Sequence, residues 1–205
     1  MVLANEAQAS ATAIQIERTP DDTIIFISDP TQNGPESYGL ALLNATRAHE
    51  VQGRMIGLIQ RVTHADVRVN GEVIGAIERG ILALIGVRRG DDQAAADRLL
   101  ERLLSYRIFP DAQGRMNLSL REIPQGALLL VPQFTLAAET QKGTRAGFST
   151  AAPPEVAREL FDYLLAKARA TQVPVAAGKF GADMQVSLTN DGPVTFWLET
   201  SMPAA

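Results

Sequence analysis

Two runs of sequence decide how this chain folds. The first is Met55-Ile56-Gly57-Leu58-Ile59-Gln60-Arg61-Val62-Thr63 with its continuation to Asn70-Gly71 and Val73-Ile74-Gly75-Ala76-Ile77, and the second is Gly80-Ile81-Leu82-Ala83-Leu84-Ile85-Gly86-Val87. Residues 56–63 alternate as a strand does, and 66–70 continue it. Asn70-Gly71 is a strong hairpin pair, because a tight two-residue turn needs positive φ at both positions. Residues 73–77 then form the return strand. The run 81–87 is apolar without interruption, as expected of a strand covered on both faces.

Working outward, Asp91 or Asp92 caps a helix whose stripe is Ala96, Leu99, Leu100, Leu103 and Leu104, spaced three and four apart. Pro110 marks its stop, and 111–114 is a turn. Gly126 leads into a second fully buried strand, 127–131. A polar loop, 139–147, connects it to a helix that opens at Pro153-Pro154 and runs to about Ala170, with Ala157, Phe161, Leu164, Leu165 and Ala168 facing inward. Residues 173–176 form a short strand. Two more, 184–189 and 194–199, lie on either side of Asn190-Asp191-Gly192-Pro193. Strict βα alternation is missing, so a doubly wound fold is not expected. The expectation is an α+β domain, a mixed β-sheet or partial barrel with two amphipathic helices.

Before Met55 the pattern is poor. Residues 1–22 read as a polar, alanine-rich tail, 23–28 as a short β-like run and 38–48 as a weakly helical segment. The division expected is a poorly ordered extension over 1–54 and a domain over 55–205, and translation starting at Met55 would yield the domain alone. Charge divides similarly. Residues 1–53 carry seven acids against Arg18 and Arg47, and the remainder carries sixteen acids against seventeen bases. The body is therefore near neutral although the chain is −4 overall, with a pI of about 5.2. Any contact with RNA must come from a local patch of positive charge.

Composition removes several kinds of chemistry. Of 205 residues 46% are apolar and 20% charged, as in an ordinary soluble protein. The apolar runs, 127–132 among them, are far short of the roughly 20 residues of a membrane span. No basic region followed by an apolar stretch opens the chain, so a cytoplasmic location is expected. Cysteine is absent and histidine occurs only as His49 and His64, which excludes thiolate nucleophiles and multi-histidine metal sites. His64 has no nucleophile and orienting acid beside it and reads as a surface residue. Asp91-Asp92 reads as a helix cap, and Asp97 with Glu101 as a solvated helix face. Neither a Gly-x-Ser-x-Gly elbow nor a phosphate-binding glycine loop is present.

Two polar interruptions of apolar strands are the better candidates. Pro132-Gln133-Phe134-Thr135 ends the buried strand 127–131, where side chains on a rigid sheet can line a pocket. It can equally be a plain strand terminus. Asn190-Asp191-Gly192-Pro193 can aim a carbonyl in a fixed direction, or simply turn a hairpin.

Taken together, residues 55–62, 115–119 and 132–136, with Phe180-Gly181-Ala182-Asp183-Met184-Gln185-Val186 and Asn190-Asp191-Gly192-Pro193-Val194-Thr195-Phe196, resemble the D-aminoacyl-tRNA deacylase family. The resemblance covers 55 to about 199 in order. It implies an enzyme that hydrolyses the ester between a D-amino acid and tRNA. Glycyl-tRNA, as when glycine is mischarged on tRNA-Ala, is implied as a further substrate. It also implies a homodimer in which the Gly192-Pro193 turn, with a cis peptide, enters the partner's site and rejects L-amino acids. Gln133, Phe134 and Thr135 match the family's catalytic motif, and Pro132, Phe180, Ala182 and Met184 fall around the substrate. No metal, cofactor, DNA or membrane is implied, and translation quality control is the implied role. The family usually has serine before the glutamine. Pro132 stands there instead, which removes one backbone N–H. An inactive RNA-binding dimer of the same fold is the alternative.

Such a site suits its reaction. An aminoacyl ester is already activated, backbone N–H groups can stabilise the oxyanion, and the RNA contributes a 2′-hydroxyl. Thr135 is either a nucleophile or an orienting group, and no neighbouring base is visible to activate it.

Overall fold

The structure is a computed structural model that describes residues 15–18, 24–27, 54–141 and 143–200. The chain divides into two compact units, Met1–His49 and Glu50–Ala205. In the first, β1 (Gln15–Arg18) pairs antiparallel with β2 (Ile24–Ile27). The β-like run at 23–28 corresponds to β2. β1 corrects the reading of 1–22 as unpatterned: Gln15-Ile16-Glu17-Arg18 holds one apolar side chain, so no period stands out in it. The segment expected to be helical at 38–48 lies outside the described residues.

In the second unit the alternation from Ile56 produces one long strand, β3 (Ile56–Val69), which turns through Asn70 (φ 53°) and Gly71 (φ 82°) into β4 (Glu72–Ile77). β5 (Gly80–Gly86) runs antiparallel to the first half of β3, on the same edge that β4 occupies along the second half. β8 (Ala127–Pro132) and β9 (Val175–Ala177) continue the sheet in parallel, and β10 (Gln185–Glu199) covers the other edge of β3. The sheet order is β10-β3-β5-β8-β9, and β4 curls round to approach β9, nearly closing a barrel. A two-stranded ribbon, β6 (Phe109–Pro110) with β7 (Met116–Leu118), lies apart from it.

Each central strand feeds two cores. Ile81, Ala83 and Ile85 of β5 and Leu128 and Leu130 of β8 point to one face, Leu82, Leu129 and Val131 to the other. The first face is covered by α1 (Gln93–Ser105) and α2 (Pro154–Arg169). Asp92 caps α1, its carboxylate accepting from the Ala95 N–H at 2.7 Å. The stripe Leu99, Leu100, Leu103 and Leu104 is buried, each side chain contributing roughly 1.5–3 kcal/mol. α1 ends at Ser105 rather than running on towards Pro110, since Tyr106 is already extended (ψ 125°) and Pro110 belongs to β6. On α2, Leu160 is buried although the stripe omitted it, and Leu165 is only partly covered. None of the described helices is long and apolar enough to cross a membrane.

The largest departure concerns the last two strands. Residues 184–189 and 194–199 do not pair with each other across a turn. Both belong to β10 and both pair with β3, Thr189 opposite His64 and Thr195 opposite Gln60. Asn190-Asp191-Gly192-Pro193 is an excursion within a single strand.

Candidate functional site

Residues 132–135 take shape from the parallel ladder. Along β8 the odd-numbered N–H groups point to the β5 side (Ala127 to the Arg79 carbonyl, Gln133 to that of Ile85 at 2.7 Å), while Leu128 donates towards β9, to Pro174. By alternation the backbone nitrogen of Pro132 faces the β9 side. The ladder with β9 ends at Leu130, whose carbonyl takes the Gly178 N–H at 2.8 Å. The missing N–H of Pro132 therefore breaks no ladder bond, which is how proline sits in a central strand. Beyond Gln133 the chain tightens into a 3-10 turn, Phe134–Ala137.

A cleft of about 860 Å³ opens at this strand end. Pro132, Gln133 and Phe134 form one wall, Phe180, Ala182 and Met184 another. Gly178 stands behind them. A Cβ there would lie 2.8 Å from Met184 Sδ and 3.4 Å from Pro132 Cδ, so only glycine leaves both side chains in place. Phe134 is 60% exposed, its ring 5.1 Å from that of Phe148. The Arg158 guanidinium stacks over Phe180 at 4.8 Å. Sequence reasoning missed Phe148, Ala151, Ala152 and the start of α2, which complete the lining. Phe148 carried a signal, being an aromatic residue in an otherwise polar loop.

Thr135 lies on the 3-10 turn but does not line the cleft, and its Oγ1 accepts from Gln133 Nε2 at 2.5 Å. The titratable groups lining the cleft are Arg89 and Asp183. His64 lies exposed on β3, hydrogen-bonded to Thr189 at 3.4 Å. Among the described residues no group of three or more histidine, cysteine or carboxylate side chains could hold a metal ion.

Gly192 and Pro193 lie elsewhere. Both are exposed, the peptide between them is cis, and neither lines the cleft of its own chain. Asn190 clamps the excursion, its Oδ1 accepting from the Val194 N–H and its Nδ2 donating to Thr195 Oγ1, both at 2.8 Å. From β3, Arg61 reaches under it. Its Nε donates to the Asp191 carbonyl at 2.9 Å and lies 3.1 Å from the Asp191 carboxylate, while its Nη1 donates to the Ile108 carbonyl at 2.6 Å. Gly192 has φ +135°, and a Cβ on it would meet Val194 Cγ2 at 2.6 Å and Arg61 Nη2 at 3.1 Å.

The described domain is thus a nearly closed mixed sheet with two helices on one face and a largely apolar cleft where a parallel strand ends in Pro-Gln-Phe-Thr. Comparison with known proteins assigns this arrangement to a family. The family model described as D-Tyr-tRNA(Tyr) deacylase matches residues 58–199, and the chain belongs to this family of ester hydrolases. A D-aminoacyl-tRNA deacylase of Alkalilimnicola ehrlichii is 64% identical over 151 residues, 74% of this chain and all of that protein. One from Pseudomonas savastanoi pv. phaseolicola is 62% identical over 146 residues, 71% of this chain and again the whole relative. Among solved structures, the c-Myc DNA Unwinding Element Binding Protein superposes with a TM-score of 0.68 at 39% identity, covering 72% of this chain and 99% of its own. A probable eukaryotic D-amino acid tRNA deacylase shares the fold at 20% identity, with a TM-score of 0.61 over 72% of this chain and all of its own.

Proposed function

We propose that this protein hydrolyses the ester of D-aminoacyl-tRNA, releasing the D-amino acid and the tRNA. The observation that carries this reading is the cleft at the end of β8, lined mostly by apolar side chains, with Pro132, Gln133 and Phe134 in one wall. Such a wall suits an acyl group already activated as an aminoacyl ester. Relatives named for this activity match along their full length, so the support extends to the whole domain.

In this mechanism the main chain of Gln133, Phe134 and Thr135 binds the aminoacyl group, and backbone N–H groups hold the charge that develops on the carbonyl oxygen. Thr135 orients rather than attacks, because its hydroxyl is engaged by Gln133 and no base adjoins it. Pro132, Phe180, Ala182 and Met184 shape the pocket. The enzyme acts in the cytoplasm as a homodimer. Gly192 and Pro193 project from an edge strand, and in the dimer each subunit inserts this excursion into its partner's cleft to exclude L side chains. Glycyl-tRNA, having no side chain to exclude, is accepted too. Residues 1–54 are an accessory extension.

The test is hydrolysis of D-Tyr-tRNA, L-Tyr-tRNA and Gly-tRNA by the full chain, with sedimentation at assay concentration. Rapid loss of the D-Tyr and Gly esters with a spared L-Tyr ester is the expected result. Inertness towards all three would leave an RNA-binding dimer instead.

A further inference from the structure

A second open cleft, of about 930 Å³, lies beside the first. Among the described residues, Arg54, Arg88, Arg89 and Arg145 line it with one carboxylate, Glu139. In a chain of net charge −4 this is a local concentration of positive charge. A solvated charge run comes from one stretch of sequence, whereas these arginines come from three. Arg54 precedes β3, Arg88 and Arg89 follow β5, and Arg145 sits in the loop closed by the backbone pair Glu139 and Gly147 (2.8 and 3.0 Å). That loop is tied to the β5 end through the Arg89 N–H and the Thr150 carbonyl at 2.9 Å.

The arginines keep donor capacity. Arg89 spends its Nε on the Ser149 carbonyl at 2.7 Å, and Arg88 lies 3.3 Å from Glu199. Among the described residues, Arg54 and Arg145 have no carboxylate at ion-pair distance. Guanidinium forks of this kind match phosphate oxygens. The two clefts share a wall. Phe148 and Ala151 line the aminoacyl cleft, Ser149 and Thr150 between them line the arginine cleft, and Arg89 lines both.

We propose that the arginine cleft binds the phosphodiester backbone of the RNA whose aminoacyl end occupies the neighbouring cleft. The inference rests on the deacylase reading and adds where the polyanion runs. An acyl group seated between Phe134 and Phe180 leaves its RNA outside, and the arginine cleft adjoins along the shared wall.

The experiment compares the full chain with an Arg54→Ala, Arg145→Ala double variant, neither residue lining the aminoacyl cleft. The probes are D-Tyr-tRNA, the D-Tyr ester of adenosine, which carries no phosphate, and uncharged tRNA followed by fluorescence anisotropy. For D-Tyr-tRNA the expected result is a KM raised roughly tenfold at unchanged kcat. The slope of log affinity for uncharged tRNA against log salt should become shallower by about 1.4, at about 0.7 per phosphate released. Hydrolysis of the adenosine ester should not change, and an Arg54→Lys, Arg145→Lys variant should recover the salt slope, which counts charge, with only part of the KM. Equal KM and equal salt slope in wild type and double variant overturn the proposal, as does an equal loss on both esters. A wild type that hydrolyses neither ester but binds tRNA with the arginine-dependent slope sinks the deacylase reading and leaves the phosphate cleft standing.

Discussion

The end of β8 and the middle of β10 are built in opposite ways. At β8 a strand buried on both faces stops, and a neighbouring strand end, a loop and a helix start gather round it into a receptacle. At β10 an edge strand leaves its ladder, projects Gly192 and Pro193 into solvent and returns, held from below by Arg61. One region is a concavity, and the other a protrusion that does not line that concavity in its own chain. The two shapes are complementary, and that is the observation behind the proposed homodimer.

The largest expected effect lies behind the receptacle. Asp91 joins the turn that leads to Arg89, its carboxylate accepting from the Arg88 N–H at 2.6 Å. Burial pushes its carboxyl up to about 6 from 3.8. The folded state then holds a proton that the unfolded state has released, so stability falls as pH rises from about 4 to about 6 and the loss persists above. Relative to Asp91→Asn, which cannot ionise, the wild type should lose about 3 kcal/mol between pH 3 and pH 7. Urea unfolding of both proteins across that range measures it, and a difference independent of pH would show that Asp91 is not the titrating group.

The protrusion is tested next by Gly192→Ala. A β-carbon at φ +135° is strained and meets Val194 and Arg61, so the excursion must shift. Hydrolysis of D-Tyr-tRNA should fall roughly 100-fold in kcat/KM, with little change in Tm because the residue is exposed. Unchanged kinetics would mean that the excursion serves no cleft. Arg61→Met removes the support while sparing the tip. The preference for D-Tyr-tRNA over L-Tyr-tRNA should drop about tenfold, together with about 2 kcal/mol of stability from the lost charged hydrogen bonds. Loss of stability with preference intact would confine Arg61 to folding. Thr135→Ala should have the smallest effect, a decrease in kcat below about fivefold, since the hydroxyl has Gln133 as partner and no base. A collapse in kcat by several orders of magnitude would make Thr135 the nucleophile after all.

Much of the fold was legible because it rests on local signals. Asn70-Gly71, the alternation before it and the apolar runs at 81–87 and 127–131 each specify their own element, and three- and four-residue spacing does the same for the helices. The excursion was not legible, since Asn-Asp-Gly-Pro has the same composition in a hairpin as in a bulge. What decides between them is the fourteen-residue length of β3, long enough to pair with the chain on both sides of the interruption. In the cleft, Pro132 to Phe134 announced themselves as polar punctuation after a buried strand. Ala151 and Ala152 did not, because small loop residues acquire a role only through what folds against them.

The interruption in β10 also fixes what lengths this segment can have. From Asn190 to Thr195 the strand advances five residues while β3, from Val62 to Gln60, advances two, a surplus of three. An odd surplus exchanges inward and outward faces. Val186 and Leu188 accordingly pack into the core containing Val62 and Leu129, whereas Val194, Phe196 and Leu198 pack into the core beneath the helices. Insertions and deletions here are therefore sorted by parity rather than by size. Removing two residues preserves which side each half presents, while removing one turns Phe196 and Leu198 away from the core they fill.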